Sequence, residues 1–101
     1  MIVGIFRSRL REEHEAAYEP VAERMAERAA AMPGFVSLDG FVADDGERVA
    51  IFAFETLAHL DAWRTDAEHL EAQRRGREEF YASYDLYVFE PTRGSHFQAR
   101  D

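Results

Sequence analysis

The stretch RVAIFAF, residues 48–54, decides the fold because it predicts a β-strand that has no polar face. Successive side chains of a strand point to opposite sides. Both sides are apolar in this stretch: Val49, Ile51 and Ala53 lie on one, and Ala50, Phe52 and Phe54 on the other. A sheet with one solvated side normally alternates apolar and polar residues. This strand therefore predicts a sheet that is covered on both faces.

Three more strands and two helical regions surround this stretch. Strands are predicted at residues 2–6, 35–43 and 85–90. Asp44-Asp45-Gly46 predicts a hairpin turn in which Gly46 supplies a positive φ. The first helical region carries an apolar stripe, and Pro33-Gly34 ends it. The residues of the stripe are Tyr18, Ala22, Met25, Ala29 and Met32. Because Pro20 is incompatible with an unbroken helix, we expect a short turn from Glu12 and the main helix from about Tyr18.

The second helical region, residues 56–84, reads as two pieces with a break between them. Leu57, Leu60 and Trp63 recur at helical spacing in the first piece. Thr65-Asp66-Ala67-Glu68 matches a capping box with Thr65 as the N-cap. We therefore expect the helix to stop near Arg64 and to restart at Asp66. Such a break opens a pocket, because it frees backbone groups and lets side chains converge.

The order βαββαβ predicts an α+β ferredoxin-like sandwich with a four-stranded antiparallel sheet and both helices on one face. Two helices cover only one of the two apolar faces. We therefore predict a homodimer joined sheet to sheet as a two-fold pair, which is a dimeric α/β barrel. The chain is expected to be one domain, residues 1–101, with a core at 1–90 and a polar tail at 91–101.

Composition excludes several classes of function. Twelve basic and twenty acidic residues give a net charge of −8, which argues against nucleic acid or an anionic membrane as a partner. The chain has no cysteine, so disulfides and thiolate chemistry are excluded. No apolar run approaches the roughly 20 residues of a membrane span, and the N-terminus does not resemble a signal peptide. No metal site is expected, and the simplest location is the cytoplasm.

Candidate site residues concentrate at the helix break. Trp63 fits a core anchor or a pocket wall that stacks on a flat ligand. His59 lies one turn before Trp63 on the same helical face. His69 lies in the first turns of the second piece, where the helix dipole favours a neutral imidazole that can act as a base. A structural hydrogen bond to a strand carbonyl is the alternative for His69.

A stripe of residues continues from His69 along the second piece. Gln73, Gly76 and Phe80 follow at helical spacing, and Gly76 predicts a close approach to the sheet or to a ligand. Tyr81 and Tyr84 are candidate hydrogen-bond donors to a phenolic or carbonyl ligand, and the alternative is that they pack with their hydroxyls at the surface.

Short motifs along the chain resemble the antibiotic biosynthesis monooxygenase family. Their order and spacing carry the resemblance up to Phe89. They are Pro33-Gly34-Phe35, Phe52-Ala53-Phe54-Glu55, Ala62-Trp63-Arg64, Glu68-His69, the run from Ala72 to Arg77, Phe80 and Tyr84. The resemblance implies a dimeric ferredoxin-like barrel. It also implies an oxygenase that uses no metal, flavin or haem and acts on phenolic polyketide or quinol-type substrates with dioxygen.

The resemblance also suggests roles for individual residues. Trp63 matches a tryptophan on the second helix that is implicated in those oxygenases, and His59 stands where they place an asparagine. The haem-degrading relatives pair an asparagine on the first strand with a tryptophan and a haem-ligating histidine. Here Arg7 stands near that strand position, and His69 follows Trp63 too closely to match the ligand. Haem degradation is therefore not expected.

The sequence thus leads to two hypotheses from different classes. The first is a cofactor-independent monooxygenase of a small aromatic phenol, quinol or polyketide-like substrate. In it Trp63, His69 and His59 are catalytic, and the substrate-binding residues are Phe54, Gln73, Phe80, Tyr81 and Tyr84. The second is a dimeric small-molecule-binding or stress-related module without chemistry.

Overall fold

The computed structural model describes residues 1–100, in which a four-stranded antiparallel sheet carries helices on one face. The strands are β1 (Ile2–Leu10), β2 (Phe35–Val42), β3 (Arg48–Phe54) and β4 (Tyr81–Phe89). The helices are α1 (Glu15–Ala30), α2 (Leu57–Arg64) and α3 (Ala67–Arg75). The spatial order β2-β3-β1-β4 confirms the predicted ferredoxin-like α+β fold.

The register of the sheet decides which residues share a face. Ser8 at the centre of the sheet lies opposite Arg48 on one side and Tyr84 on the other. Ile5 in the same way lies opposite Ile51 and Tyr87. Because directly paired residues point to the same side, the Ser8 row faces the helices and the Ile5 row faces away.

A small core fixes the helices on the sheet. Ala29 of α1, Leu60 and Trp63 of α2 and Phe54 of β3 form one buried cluster. Phe52 packs against this cluster, and its ring lies over Gly4 of β1. A Cβ added at position 4 would lie 2.0 Å from that ring, so only glycine fits there.

The first helix differs from its prediction at its start. A 3₁₀ turn covers Glu12–His14, and α1 begins directly afterwards at Glu15 rather than at Tyr18. Pro20 lies inside α1, in its second turn. Proline is tolerated there because packing of the apolar face of α1 onto the sheet offsets the missing amide hydrogen bond.

Two boundaries near the helix break were also predicted wrongly. Asp66, not Thr65, caps α3, because the Asp66 carboxylate accepts the His69 amide. The Thr65 hydroxyl instead donates to the carbonyl of Asp61 at the end of α2. After α3 a π-helical turn, Gly76–Phe80, leads straight into β4, which begins at Tyr81 rather than at residue 85.

The turns and the tail follow their predictions more closely. Gly46 in the hairpin turn has a φ of 91°, as predicted. Residues 90–100 contain no helix or strand and are exposed, and Asp101 of the predicted tail lies outside the described residues. Within the described chain, no helix is both long and apolar enough to cross a bilayer.

Candidate functional site

A cavity of about 650 Å³ lies between the helices and the helix-facing side of the sheet. Cavities of this size are typical of sites for small organic ligands. Its lining includes seven of the eight residues that the sequence singled out: Phe54, Trp63, His69, Gln73, Phe80, Tyr81 and Tyr84. The structure thus brings residues from β3, the helix break and β4 to one space.

The helix break places two rings face to face. Trp63 lies at the end of α2, and His69 lies on the first turn of α3. Their ring centroids are 3.8 Å apart and the planes differ by 12°. The Trp63 side chain is 8% exposed, so it serves both as a core anchor and as a wall of the cavity.

Hydrogen bonds fix the tautomer of His69. Its Nδ1 lies 3.0 Å from the carbonyl oxygen of Trp63, which can only accept, so Nδ1 carries the proton. The nearby Gln73 amide is 3.3 Å from Nδ1 but donates to the Arg64 carbonyl at 2.9 Å. The proton on Nδ1 leaves a lone pair on Nε2.

The Nε2 atom of His69 faces accessible space. It makes no hydrogen bond with another described residue, whereas every fully buried side-chain nitrogen or oxygen among the described residues has a partner. Since His69 lines the cavity, this nitrogen is available to a ligand there. Burial lowers the pKa of His69 below its usual value of 6.5, against the opposing effects of the Trp63 carbonyl and Asp66. The imidazole is therefore neutral at pH 7.

Asp66 anchors the start of α3 to α1. Arg28 donates to both Asp66 oxygens, at 2.6 and 2.7 Å. The same carboxylate accepts the backbone amide of His69 at 3.1 Å. The Arg28 guanidinium is the main reason that the pKa of Asp66 falls to about 2. This ion pair holds the backbone that positions His69.

Aromatic side chains form another wall of the cavity. Tyr81 packs edge to face against Phe6, Tyr18 and Tyr84, with centroid distances of 5.3 to 5.8 Å. Burial raises the pKa of the Tyr81 hydroxyl well above its usual range, and Tyr18 raises it further. The Tyr81 hydroxyl therefore stays protonated and can donate a hydrogen bond. Its ring also covers Gly76, where a Cβ would lie 2.5 Å away.

His59 lies outside the cavity lining. Its Nδ1 is 2.8 Å from the hydroxyl of Thr56, which caps α2 by accepting the His59 amide at 3.1 Å. Its ring packs over Gly34, which has a φ of 77°. The structure thus separates His59 from the pair that Trp63 and His69 form.

The polar residues of the lining that the sequence analysis missed include two from the sheet. Ser8 and Arg48 both face the cavity from the sheet. Arg48 begins the apolar stretch of β3, but Ser8 lies between Arg7 and Arg9, beyond the apolar run of β1, so no sequence pattern pointed to it. Only the strand register shows that they are neighbours. Among residues 1–100, no three His, Asp or Glu side chains are grouped closely enough to hold a metal ion.

The fold and the site together define a small ferredoxin-like protein with an aromatic cavity beneath a helix break. The sequence profile described as antibiotic biosynthesis monooxygenase matches residues 1–75, and the chain belongs to this family. It is 31% identical over 95 residues to the uncharacterised protein YqjZ of Bacillus subtilis (strain 168), covering 94% of this chain and 83% of YqjZ.

Solved structures of the same fold include two of particular interest. Rv0793 from Mycobacterium tuberculosis matches with a TM-score of 0.84 at 21% identity, covering 94% of this chain and 98% of that one. A mutant of SnoaB, a cofactor-independent oxygenase from Streptomyces nogalater, matches with a TM-score of 0.79 at 19% identity. That match covers 92% of this chain and 94% of SnoaB.

Proposed function

We propose that this protein is a cofactor-independent monooxygenase that oxidises a small aromatic phenol, quinol or polyketide-like substrate with dioxygen. The observation that carries the proposal is the neutral His69, whose Nδ1 is committed to Trp63 while Nε2 is free in an aromatic cavity. Membership of the monooxygenase family and the fold shared with SnoaB support it.

His69 is the proposed base of the reaction. Its Nε2 takes the phenolic proton, and the resulting anion is rich enough in electrons to pass one to dioxygen. The reduced oxygen then bonds to the para ring carbon, and that carbon passes its hydrogen to the distal oxygen as the O–O bond breaks, which leaves a carbonyl and a hydroxide. For 1-naphthol the balance is C₁₀H₈O + O₂ → C₁₀H₆O₂ + H₂O, so the substrate supplies all the electrons. The imidazolium returns its proton to the departing hydroxide.

The cavity walls serve this chemistry by positioning the substrate and excluding water. The indole of Trp63 offers a flat surface for an aromatic ring. Phe54, Phe80 and Tyr84 supply further aromatic contacts, and Tyr81 supplies a protonated hydroxyl. Apolar walls strengthen the electrostatic interaction between the imidazolium and the substrate anion.

A homodimer is part of this proposal. The sheet face that points away from the helices carries Ile5, Ile51, Tyr87 and Phe89, of which Tyr87 is 57% exposed. A second copy of the chain would cover this face and leave the two cavities on the helical side, on the outside of the paired sheets.

Oxygen consumption with 1-naphthol, measured on protein dialysed against a chelator, tests the activity. His69→Gln keeps an amide that can donate to the Trp63 carbonyl but removes the base, so we expect kcat/KM to fall about 100-fold or more. Trp63→Phe is expected to lower it by about tenfold through lost ring contact. His96→Gln, in the exposed tail, is the matched control and should retain the wild-type rate.

An unchanged rate in His69→Gln would refute the assigned base. Thermal stabilisation by 1-naphthol without any oxygen consumption would instead identify a binding module.

A further inference from the structure

Three polar side chains form a row across the sheet, on the side that faces the cavity. Ser8 of β1 pairs directly with Arg48 of β3 and with Tyr84 of β4. All three line the cavity. Directly opposite residues in neighbouring strands have Cβ atoms about 4.5–5.5 Å apart, so one small group can contact Ser8 together with either neighbour.

The hydroxyl of Ser8 lacks a partner. Ser8 is 3% exposed, and its side chain forms no hydrogen bond with another described residue. Every fully buried polar side-chain atom among residues 1–100 has a partner, so this hydroxyl keeps some accessible surface, and Ser8 is one of the residues that line the cavity. A hydroxyl withdrawn from bulk water is unfavourable unless a ligand or a trapped water satisfies it.

Arg48 is held in place but retains free donors. Its Nη2 donates to Glu19 at 2.6 Å and lies 3.5 Å from Glu15, and its guanidinium sits 5.3 Å from the centre of the Tyr18 ring. A guanidinium has five N–H donors, and these contacts leave Nε and Nη1 without a described partner. The two glutamates offset the charge, which favours a neutral oxygen over a carboxylate as the ligand group.

The row and His69 line the same cavity but contact different parts of α1. Arg24 of α1 is paired with Glu68, next to His69, whereas Arg48 packs on Tyr18, six residues earlier in α1. At a rise of 1.5 Å per residue, the two positions are roughly 9 Å apart along the helix. Since His69 and the row line one cavity of about 650 Å³, an aromatic ligand with an oxygen at each end can contact both.

We propose that Ser8 and Arg48 form a second polar subsite of this cavity, which binds a ketone oxygen conjugated to the substrate hydroxyl that faces His69. This inference rests on the proposed function for the role of His69. When Nε2 takes the hydroxyl proton, conjugation moves negative charge to the ketone oxygen, where the Ser8 hydroxyl and the Arg48 guanidinium donate to it. Such hydrogen bonds strengthen as charge develops.

Two ligands of the same skeleton test the subsite by binding alone. 6-Hydroxy-1-tetralone carries the conjugated hydroxyl and ketone, and 5,6,7,8-tetrahydro-2-naphthol lacks only the ketone. Their Kd values are measured under nitrogen from the fluorescence of Trp63, the single tryptophan of the chain. We expect the wild type to bind the tetralone at least about fivefold more tightly. Ser8→Ala should raise the Kd of the tetralone about fivefold to tenfold and change the Kd of the tetrahydronaphthol by no more than about twofold.

The controls separate a specific contact from a packing effect. Arg48→Gln should also weaken tetralone binding selectively, and Ser83→Ala, an exposed β4 serine outside the cavity lining, should change neither Kd. The subsite is refuted if Ser8→Ala raises the Kd of both ligands equally or leaves the Kd of the tetralone unchanged. It is also refuted if the wild type does not bind the tetralone. Because no turnover is involved, selective binding without oxygen consumption in air would refute the monooxygenase while leaving the subsite intact.

Discussion

Among the single residues of the site, His69 has two nitrogens with different surroundings. Nδ1 is fixed by the Trp63 carbonyl, and Nε2 is free in the cavity. Burial that keeps the ring neutral also makes it a weak base, because the pKa of His69 lies below 6.5. A base of this kind deprotonates a phenol only if the anion is stabilised elsewhere in the cavity. The substrate hydroxyl is therefore expected to be acidic or conjugated.

Titration of His69 gives a prediction with a definite sign. Because its pKa is lowered in the folded state, the unfolded chain binds the proton more readily. The free energy of unfolding should therefore rise with pH through the window between the folded pKa and about 6.5, and level off above it. His69→Gln should remove this part of the pH dependence. Denaturant unfolding at pH 5, 6 and 7, with the Hε1 proton resonance of His69 followed by NMR, measures both quantities.

The pH dependence of the oxidation rate should also reflect the titration of His69. Since the neutral imidazole is the active form, kcat/KM should increase with pH through the folded pKa of His69 and be constant at pH 7 and just above. A His69 resonance that titrates above pH 6.5, or an activity that rises as the solution is acidified, would contradict this assignment.

Sequence patterns located some site residues and not others for a physical reason. Helical spacing grouped His69 with Gln73, and the predicted helix break brought Trp63 close to them. Ser8 and Arg48 are 40 positions apart, and only the β1–β3 register makes them neighbours. His59 has the spacing of a site residue. Its ring, however, packs over Gly34 and lies within hydrogen-bond distance of the hydroxyl of Thr56, the N-cap of α2.

At the level of the elements, the break between α2 and α3 depends on Asp66. Thr65 and Asp66 are both good N-caps, so the local pattern did not decide between them. Asp66 prevails because it also accepts the bidentate Arg28, which is 38 residues away in sequence. The start of β4 was misplaced for a similar reason. Tyr81 pairs with Leu10 at the far end of a β1 that is longer than its apolar run.

Substitutions of Asp66 should separate its two roles. Asp66→Ala removes the cap and the ion pair, and we expect Tm to fall by about 4–8 °C. Asp66→Asn keeps a capping oxygen, so its Tm should fall by less than that of Asp66→Ala. Asp61→Asn, which affects only the exposed pair with Arg64 at 3.4 Å, is the control and should have little effect.

Thermal unfolding followed by circular dichroism at pH 7 measures these differences. This pH is well above the pKa of about 2 of Asp66, so the carboxylate is fully ionised in the wild type. Its contribution should be lost only as the pH falls below 3.8 towards 2. An Asp66→Ala variant as stable as Asp61→Asn would show that the break is held by other contacts.

For the molecule as a whole, the accessible surface is larger than the value expected for a folded monomer of this mass. The accessible surface is 7187 Å², whereas a folded monomer of 11.6 kDa is expected to have about 5,800 Å². Part of the difference is the tail, and part is apolar sheet, including Ile51 and Phe89 at 37% and 41% exposure. The excess is of the same order as the roughly 800 Å² that each partner buries in a stable dimer.

The sheet-to-sheet dimer can be tested by placing a charge at the centre of this face. Ile51 pairs with Ile5 beside Tyr87, and the apolar side chains around it would leave a buried ammonium without a partner. We expect the wild type at about 10 μM to sediment at twice the 11.6 kDa chain mass, and Ile51→Lys to sediment as a monomer. Glu23→Lys, exposed on α1, places an even larger charge change on the helical side, +2 against +1, and should remain dimeric. Circular dichroism of each variant checks that the fold is retained. A wild type that is monomeric at this concentration, or an Ile51→Lys variant that still pairs, would show that the apolar face is not the interface.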